Sequence, residues 1–154
     1  WMPIFAKPPL SKGWPEAHIV AMAGAWPDVL KAQLELFTLG IDVACLCIQG
    51  WPSPTDGLTS AVKGSGRLVV VDTDWVESGL AAEIVSLCAE RGVLTAPPVR
   101  IGPPRTACPT AANLEAAWYP SVGAIGNAVL KVLVKELVIA GATPDNRDGR
   151  KEPF

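Results

Sequence analysis

The turn after the third predicted strand carries the side chains best suited to chemistry. Asp72 and Asp74 lie two residues apart, and Glu77 follows them in the same turn. Carboxylates spaced this closely can hold a small cation or supply an acid–base pair. A solvated acidic turn uses the same residue types and is the more common arrangement. A cation site, an acid–base pair and a structural turn therefore stay open here, and the structural turn is favoured.

Histidine and cysteine give little support for catalysis. His18 is the only histidine and begins a predicted strand, so we favour a structural role, and no Gly-x-Ser-x-Gly motif accompanies it. The cysteines form neither a Cys-x-x-Cys pair nor a Cys/His cluster, which argues against zinc binding. We expect reduced thiols at Cys45, Cys47, Cys88 and Cys108. No catalytic or metal-binding residue is assigned.

The elements that must position these residues alternate along the chain. Apolar runs rich in β-branched residues predict strands, and apolar residues at helical spacing predict the helices between them. The residues 77–79 offer a side-chain cap for the helix that follows the acidic turn. We predict strands over 18–22, 41–48, 68–71 and 99–101, and helices that begin at Pro27, Thr55, Gly79 and Ser121, the last reaching about Ile139.

This alternation predicts an α/β fold. We expect three layers, α/β/α, around an open and mostly parallel sheet of about four to five strands. Residues 1–17 are rich in proline and predict a linker or arm, residues 18–139 predict the domain itself, and residues 140–154 predict a polar tail.

Three tryptophans follow predicted strands at a similar distance. Trp26, Trp51 and Trp75 each lie about three residues beyond a strand, and parallel strands would bring all three to one edge of the sheet. Open α/β sheets bind ligands at that edge, and exposed tryptophan is also enriched at protein interfaces. An interface is favoured over core packing beneath the loops and over a small-ligand crevice.

Composition limits the classes of partner. Hydrophobic residues make up 49% of the chain and charged residues 18%, so the surface can include patches that contact another protein. The net charge of −2 provides no basic footprint for nucleic acid. No apolar stretch is long enough to cross a membrane and no signal peptide is recognisable, so we expect a cytoplasmic protein.

Several stretches of the chain, taken in order, resemble one known family. They are residues 3–8, 40–43, 51–56, 67–84 with Glu83, and 96–101, followed by Pro109, Leu114, Glu115 and Pro120. Their order and spacing are similar to those of the C-terminal domain of transketolase-like enzymes. The resemblance is closest to that domain in the β subunit of 2-oxo acid dehydrogenases of the pyruvate or branched-chain type.

The resemblance implies that cofactor chemistry lies outside this chain. Enzymes of the family bind thiamine diphosphate and magnesium between two larger domains, so we expect this chain alone to bind neither. The acidic turn also departs from the family pattern, because Asp72 stands where many members have a histidine. Ser78 and Gly79 replace a pair of glycines, and Ala81 replaces a further one. These departures weaken any inherited role in proton transfer.

We therefore predict a non-catalytic assembly domain that helps form the dimer or heterotetramer of a thiamine-dependent 2-oxo acid dehydrogenase. Its partner would be a second copy or a related subunit. Two alternatives stay open, namely a free-standing α/β module for a small or anionic ligand and a small independent enzyme. The candidate ligand or interface residues are Asp72, Thr73, Asp74, Trp75, Glu77, Ser78, Gly79, Glu83, Trp26 and Trp51.

Overall fold

The computed structural model of the chain describes residues 4–11, 13–51 and 55–133, and within them five strands form one sheet. In chain order the strands are β1 (Ile4–Lys7), β2 (Ala17–Met22), β3 (Val43–Ile48), β4 (Leu68–Val71) and β5 (Val99–Ile101). Their order in the sheet is β1-β3-β2-β4-β5, with every pair parallel except β1 with β3. The strands β2, β3 and β4 are buried along their whole length, as their mainly apolar runs predict.

Helices cover both faces of the sheet and complete the predicted three-layer α/β fold. They are α1 (Trp26–Thr38), α2 (Thr55–Lys63), α3 (Leu80–Glu90), α4 (Ala112–Trp118) and α5 (Val122–Val132). On one face, Val29 of α1 and Ile125 of α5 belong to a core cluster with alternate residues of the strands. On the other face, Leu58 of α2 and Ile84 of α3 belong to a second cluster. The central sheet thus separates two cores.

The chain leaves the neighbouring strands β2 and β4 toward opposite faces. After β2 it passes through a 3₁₀ turn, Ala23–Ala25, into α1, and after β4 it enters α3. Because β2 and β4 pair in parallel, their carboxyl ends lie side by side while the following helices diverge. Such a switch point is where open α/β sheets form a crevice.

The proline-rich arm contributes a strand and is fastened to the domain. Its residues Ile4–Lys7 form β1, which pairs with β3 at the edge of the sheet. The backbone N–H groups of Leu10 and Ser11 each donate to the Asp42 carboxylate at 2.8 Å. Buried Gln33 donates from Nε2 to the carbonyl oxygens of Pro8, at 3.0 Å, and Val43, at 2.8 Å. The first part of the chain is therefore held in place, and the domain boundary near residue 17 stays a prediction.

Helix α4 was not expected from the sequence, and helix α5 can be compared with its prediction only over its first part. The short helix α4 lies in a segment for which the sequence predicts no helix, and none of its residues is buried. A helix without a buried face shows no apolar periodicity, which explains why the sequence gives no sign of it. The Ser121 cap of α5 is confirmed, because its Oγ accepts a hydrogen bond from the Ala124 N–H at 3.2 Å. The predicted end of that helix near Ile139 and the tail over 140–154 lie outside the described residues.

Candidate functional site

A crevice of about 700 Å³ opens at the carboxyl ends of β2 and β4. Gly24 and Ala25 line it from the turn after β2, and Thr73 lines it from the turn after β4. Tyr119 and Ser121 close it from the segment that joins α4 to α5. Gly24 allows the two strand ends to approach, because a Cβ atom there would lie 3.0 Å from Cγ2 of Thr73. This crevice occupies the switch point and is the candidate site.

Asp72 is buried and organises the turn beside the crevice. Its Oδ1 accepts a hydrogen bond from the Asp74 N–H, and its Oδ2 accepts one from the Ala81 N–H, each at 3.0 Å. The second bond satisfies a donor in the first turn of α3, whose own N-cap residue, Gly79, provides no side-chain bond. The sequence expectation of a cap from residues 77–79 is therefore wrong, because the buried Asp72 carboxylate is the acceptor instead. Asp72 anchors the helix from nine positions away along the chain.

The backbone of this turn is tightly constrained. Ser78 has a positive φ of 62°, a conformation that favours glycine because a Cβ crowds the backbone. Gly79 lies so close to the Trp75 carbonyl oxygen that an added Cβ would clash with it. A Cβ on Gly102, after β5, would lie 2.7 Å from the carbonyl oxygen of Asp74. The turn packs backbone against backbone, and this packing fixes the position of Asp72.

The other acidic residues of the turn do not converge with Asp72 on one point. Asp74 is exposed and accepts from the Trp75 N–H at 2.7 Å. Glu77 faces Arg105 at 3.9 Å on the surface, and Glu83 is exposed in the first turn of α3. In the part of the chain that the structure describes, no group of three or more histidine, cysteine, aspartate or glutamate residues is placed to hold a metal ion.

The three tryptophans of the predicted edge occupy different environments. Trp26 is half-buried and packs against the core beneath α1 and α5. Trp51 and Trp75 are exposed at 40% and 38%, and the Arg105 guanidinium lies 5.8 Å from the centre of the Trp75 ring. The prediction that all three serve one role is not tested by this arrangement. Of these three tryptophans, Trp51 and Trp75 offer exposed aromatic surface.

The opposite edge of the sheet, at the amino ends of the strands, holds the only histidine. His18 is buried, and its Nδ1 lies 2.7 Å from the Ser65 Oγ, within hydrogen-bonding distance. Burial lowers the pKa of His18 to about 4, so the ring is neutral near pH 7. Burial also raises the pKa of Cys45 to about 12 and that of Cys88 to about 11, which makes both thiols poor nucleophiles. These groups serve packing.

The crevice residues after α4 could not be found from sequence. Tyr119, Pro120 and Ser121 reach the site because the chain returns across the carboxyl edge before entering α5. The sequence marks Ser121 only as the start of a helix. It does not indicate which strands end beside that residue. Asp28, in the first turn of α1, also lines the crevice and carried no sequence signal.

The lining does not fit thiamine diphosphate with magnesium. A diphosphate needs backbone or cationic donors around it and a metal needs a set of oxygen ligands. Asp28 is the charged side chain among the described residues that line the crevice, and its charge would repel the phosphates. Gly64 and Gly66 offer no phosphate-binding turn to the crevice, because they lie at the opposite edge of the sheet, between α2 and β4.

Comparisons with known proteins agree with this fold. Residues 10–125 match the family described as transketolase, C-terminal domain. The pyruvate dehydrogenase E1 component subunit beta of Rhizobium meliloti (strain 1021) is 30% identical over 123 residues, which are 78% of this chain and 27% of the relative. The chain thus spans about a quarter of the length of that relative.

Two solved structures share the fold at low identity. One, titled a split gene transketolase, inactive beta4 tetramer, gives a TM-score of 0.68 at 20% identity over 82% of this chain and 40% of the other. The second is titled 2-oxoglutarate:ferredoxin oxidoreductase from Magnetococcus marinus with 2-oxoglutarate, coenzyme A and succinyl-CoA bound. It gives a TM-score of 0.60 at 14% identity over 86% of this chain and 20% of the other. These two likenesses show the fold alone, whereas the match over residues 10–125 shows that the chain belongs to the transketolase C-terminal domain family.

Proposed function

We propose that this chain is a non-catalytic assembly domain of a thiamine-dependent enzyme of the 2-oxo acid dehydrogenase type, and that the segment 104–121 is its contact surface. The partner is a second copy of the chain or a related subunit. In this role the domain supplies binding surface and correct geometry, while the cofactor and the reacting groups belong to other domains.

The observation that carries the proposal is the exposure of α4. This helix has seven residues and none of them is buried. Isolated helices shorter than about 12 residues are marginal in water, and most helices in proteins are stabilised by packing of an apolar face. A helix this short with no buried residue is explained if another surface covers it in the assembled protein.

The chemistry of the segment suits a protein partner. Leu114 is 55% exposed and Tyr119 is 38% exposed, and Trp118 and Tyr119 form an edge-to-face pair with ring centres 5.1 Å apart. Charged side chains are sparse there, with Arg105 and Glu115 as examples. Exposed aromatic and aliphatic groups with few charges are typical of the centre of an interface.

The relatives support a subunit role. The curated relative is named as a subunit, and one structural neighbour is titled a tetramer. Both are longer than this chain, since it covers 27% of the first and 40% of the second. An assembly role for this chain agrees with both names, and the assignment to a thiamine-dependent enzyme rests on the first.

Sedimentation velocity with two matched variants tests the proposal. We expect the 154-residue chain to self-associate as its concentration rises, and Leu114→Glu to return it to a monomer because the charge would be buried at the contact. Leu34→Glu is the control, because Leu34 is similarly exposed, at 60%, but lies in the second half of α1.

Two outcomes would contradict the proposal. One is a chain that stays monomeric at high concentration and binds no thiamine-binding partner domain. The other is dissociation by Leu34→Glu with no effect of Leu114→Glu, which would move the contact to α1. Thermal unfolding of both variants should match the parent chain, since both positions are exposed.

A further inference from the structure

The crevice at the switch point has the size and lining of a small-molecule site, in addition to the proposed contact surface. Its volume of about 700 Å³ lies within the usual range for ligand pockets, roughly 300 to 1,000 Å³. Ala25, Pro120 and Val122 provide apolar walls, and Tyr119 provides an aromatic one. Three of its walls come from separate parts of the chain, namely the α1 start, the β4 exit and the α4–α5 segment.

Two groups in the lining select the charge of a ligand. Asp28 brings a carboxylate, and Tyr119 brings the face or edge of an aromatic ring. A carboxylate and an aromatic ring are the groups by which proteins recognise organic ammonium ions, through ion pairing and cation–π attraction. The carboxylate and the face of the ring both disfavour an anion.

The existing ion pair of Asp28 leaves its carboxylate available. Lys31 approaches it at 2.9 Å, but the lysine side chain is 67% exposed and that of Asp28 is 44% exposed. Exposed ion pairs of this kind contribute about 0 to 1 kcal/mol, so a ligand ammonium can displace the lysine at little cost.

Polar groups near the acid give further contacts for the same ligand. Thr73 is half-buried in the crevice, and its hydroxyl has no hydrogen-bond partner among the described residues. The Ser121 Oγ accepts from the Ala124 N–H, which leaves the Ser121 hydroxyl proton free to donate. A flat molecule with one ammonium group and one further polar group would satisfy this lining.

We propose that the crevice binds a small aromatic or apolar amine, with the ammonium at Asp28 and the apolar body against Tyr119 and Pro120. Such a ligand would link the first turn of α1 to the segment that directly follows α4, because it would contact residues on both. Binding should therefore slow hydrogen exchange in α4, which otherwise has no buried residue. The Asp28 carboxylate favours a cationic ligand over an anionic one.

Titration of the chain with three probes of matched shape tests this. The probes are phenethylamine, phenylethanol and hydrocinnamate, which carry a positive, a neutral and a negative group on the same aromatic body. Binding is followed by protein NMR shifts at Thr73 and Tyr119. We expect phenethylamine to bind at least about tenfold more tightly than hydrocinnamate, which corresponds to about 1.4 kcal/mol.

Two variants and one control locate the effect. Asp28→Asn should reduce phenethylamine to the affinity of phenylethanol, and Ala116→Trp should abolish binding of all three by filling the crevice. Asp56→Asn is the matched control, since Asp56 also lies in a first helical turn and pairs with Arg91 at 2.8 Å, but lies on α2. It should leave all three affinities unchanged.

The proposal is overturned if hydrocinnamate binds as well as the amine, if Asp28→Asn leaves the preference intact, or if Ala116→Trp still binds. Ala116 is exposed on a helix without buried residues, so its replacement should leave the fold intact, which far-UV circular dichroism checks. Repeating the titration in Leu114→Glu separates ligand binding from self-association. Failure of the contact-surface proposal and failure of the amine-site proposal can then be told apart.

Discussion

The carboxyl edge of the sheet is open and apolar, whereas the amino edge is largely closed by hydrogen bonds. At the carboxyl edge lie the crevice, the exposed helix α4 and the exposed rings of Trp51 and Trp75. At the amino edge, Asp42 and Gln33 hold the arm, and His18 is buried against Ser65.

The difference separates two uses of polar groups. Burial alone would raise the pKa of Asp42, but hydrogen bonds from Ser11 and Leu10 lower it overall. The Asp42 carboxylate therefore holds the arm in its charged form. Asp72 does similar work at the other edge, inside the turn. Around Asp72, however, apolar surface remains exposed and a cavity remains open. Structure is fixed at both edges, and binding surface is concentrated at one.

One feature of the amino edge runs against this division. Trp14 is 85% exposed beside a second cavity of about 580 Å³. The same cavity is lined by His18 and Gly64. A contact at Trp14 is therefore the main rival to a contact at α4, and the experiments below distinguish them.

The largest expected effect is that of Asp72→Ala. Its loss leaves the N–H groups of Asp74 and Ala81 without their acceptor, and the buried Ala81 donor has no water to replace it. We expect the free energy of unfolding to fall by about 3 kcal/mol. Urea unfolding measures this, with Asp74→Ala as the exposed control that should change stability much less. Equal effects of both variants would mean that Asp72 does not anchor α3.

The next effect is a pH dependence from His18. Its folded pKa of about 4 lies below the usual value of 6.5, so the unfolded chain takes up the proton first as the pH falls. Stability from this group is complete above about pH 6.5 and is lost toward pH 4, with about 2 kcal/mol lost by about pH 5.

Urea unfolding at a series of pH values checks this. His18 is the only histidine in the chain, so other side chains contribute little to the slope near pH 6. His18→Gln cannot titrate and should flatten the curve there. A parent chain that is equally stable at both ends of this range would show that His18 is not buried as a neutral ring.

The smallest effect is a gain in stability from Ser78→Gly. Ser78 has a positive φ of 62°, which costs a non-glycine residue about 1 kcal/mol, and glycine removes most of that cost. We expect a gain of up to about 1 kcal/mol in thermal unfolding. Ser86→Gly, in the helix α3, should have the opposite sign because glycine weakens helix interiors. A loss of stability in Ser78→Gly would show that the serine side chain has a role in the turn.

Much of the fold could be predicted from local patterns. The runs 68–71 and 43–48 lie in buried strands because they are continuous, apolar and β-branched, and the Ser121 cap marks the start of α5. Both signals depend only on residues that are close in sequence. The family resemblance comes instead from several sequence stretches taken in order, such as 67–84 and 96–101.

The remainder depends on contacts between distant residues. The bond of Asp72 to Ala81 and that of Asp42 to Leu10 span 9 and 32 positions, so neither is visible in a local pattern. The strand β1 follows from pairing with β3, and α4 has no periodic apolar face to reveal it. The candidate site combines such elements, which is why its lining had to come from the structure.

Hydrogen exchange of the chain at low and high concentration tests the central claim most directly. If the carboxyl edge is the contact surface, amides of residues 112–121 should exchange more slowly at high concentration, while those of residues 13–16 should be unchanged. Protection at residues 13–16 with none at 112–121 would place the contact at Trp14 and contradict the assignment to α4.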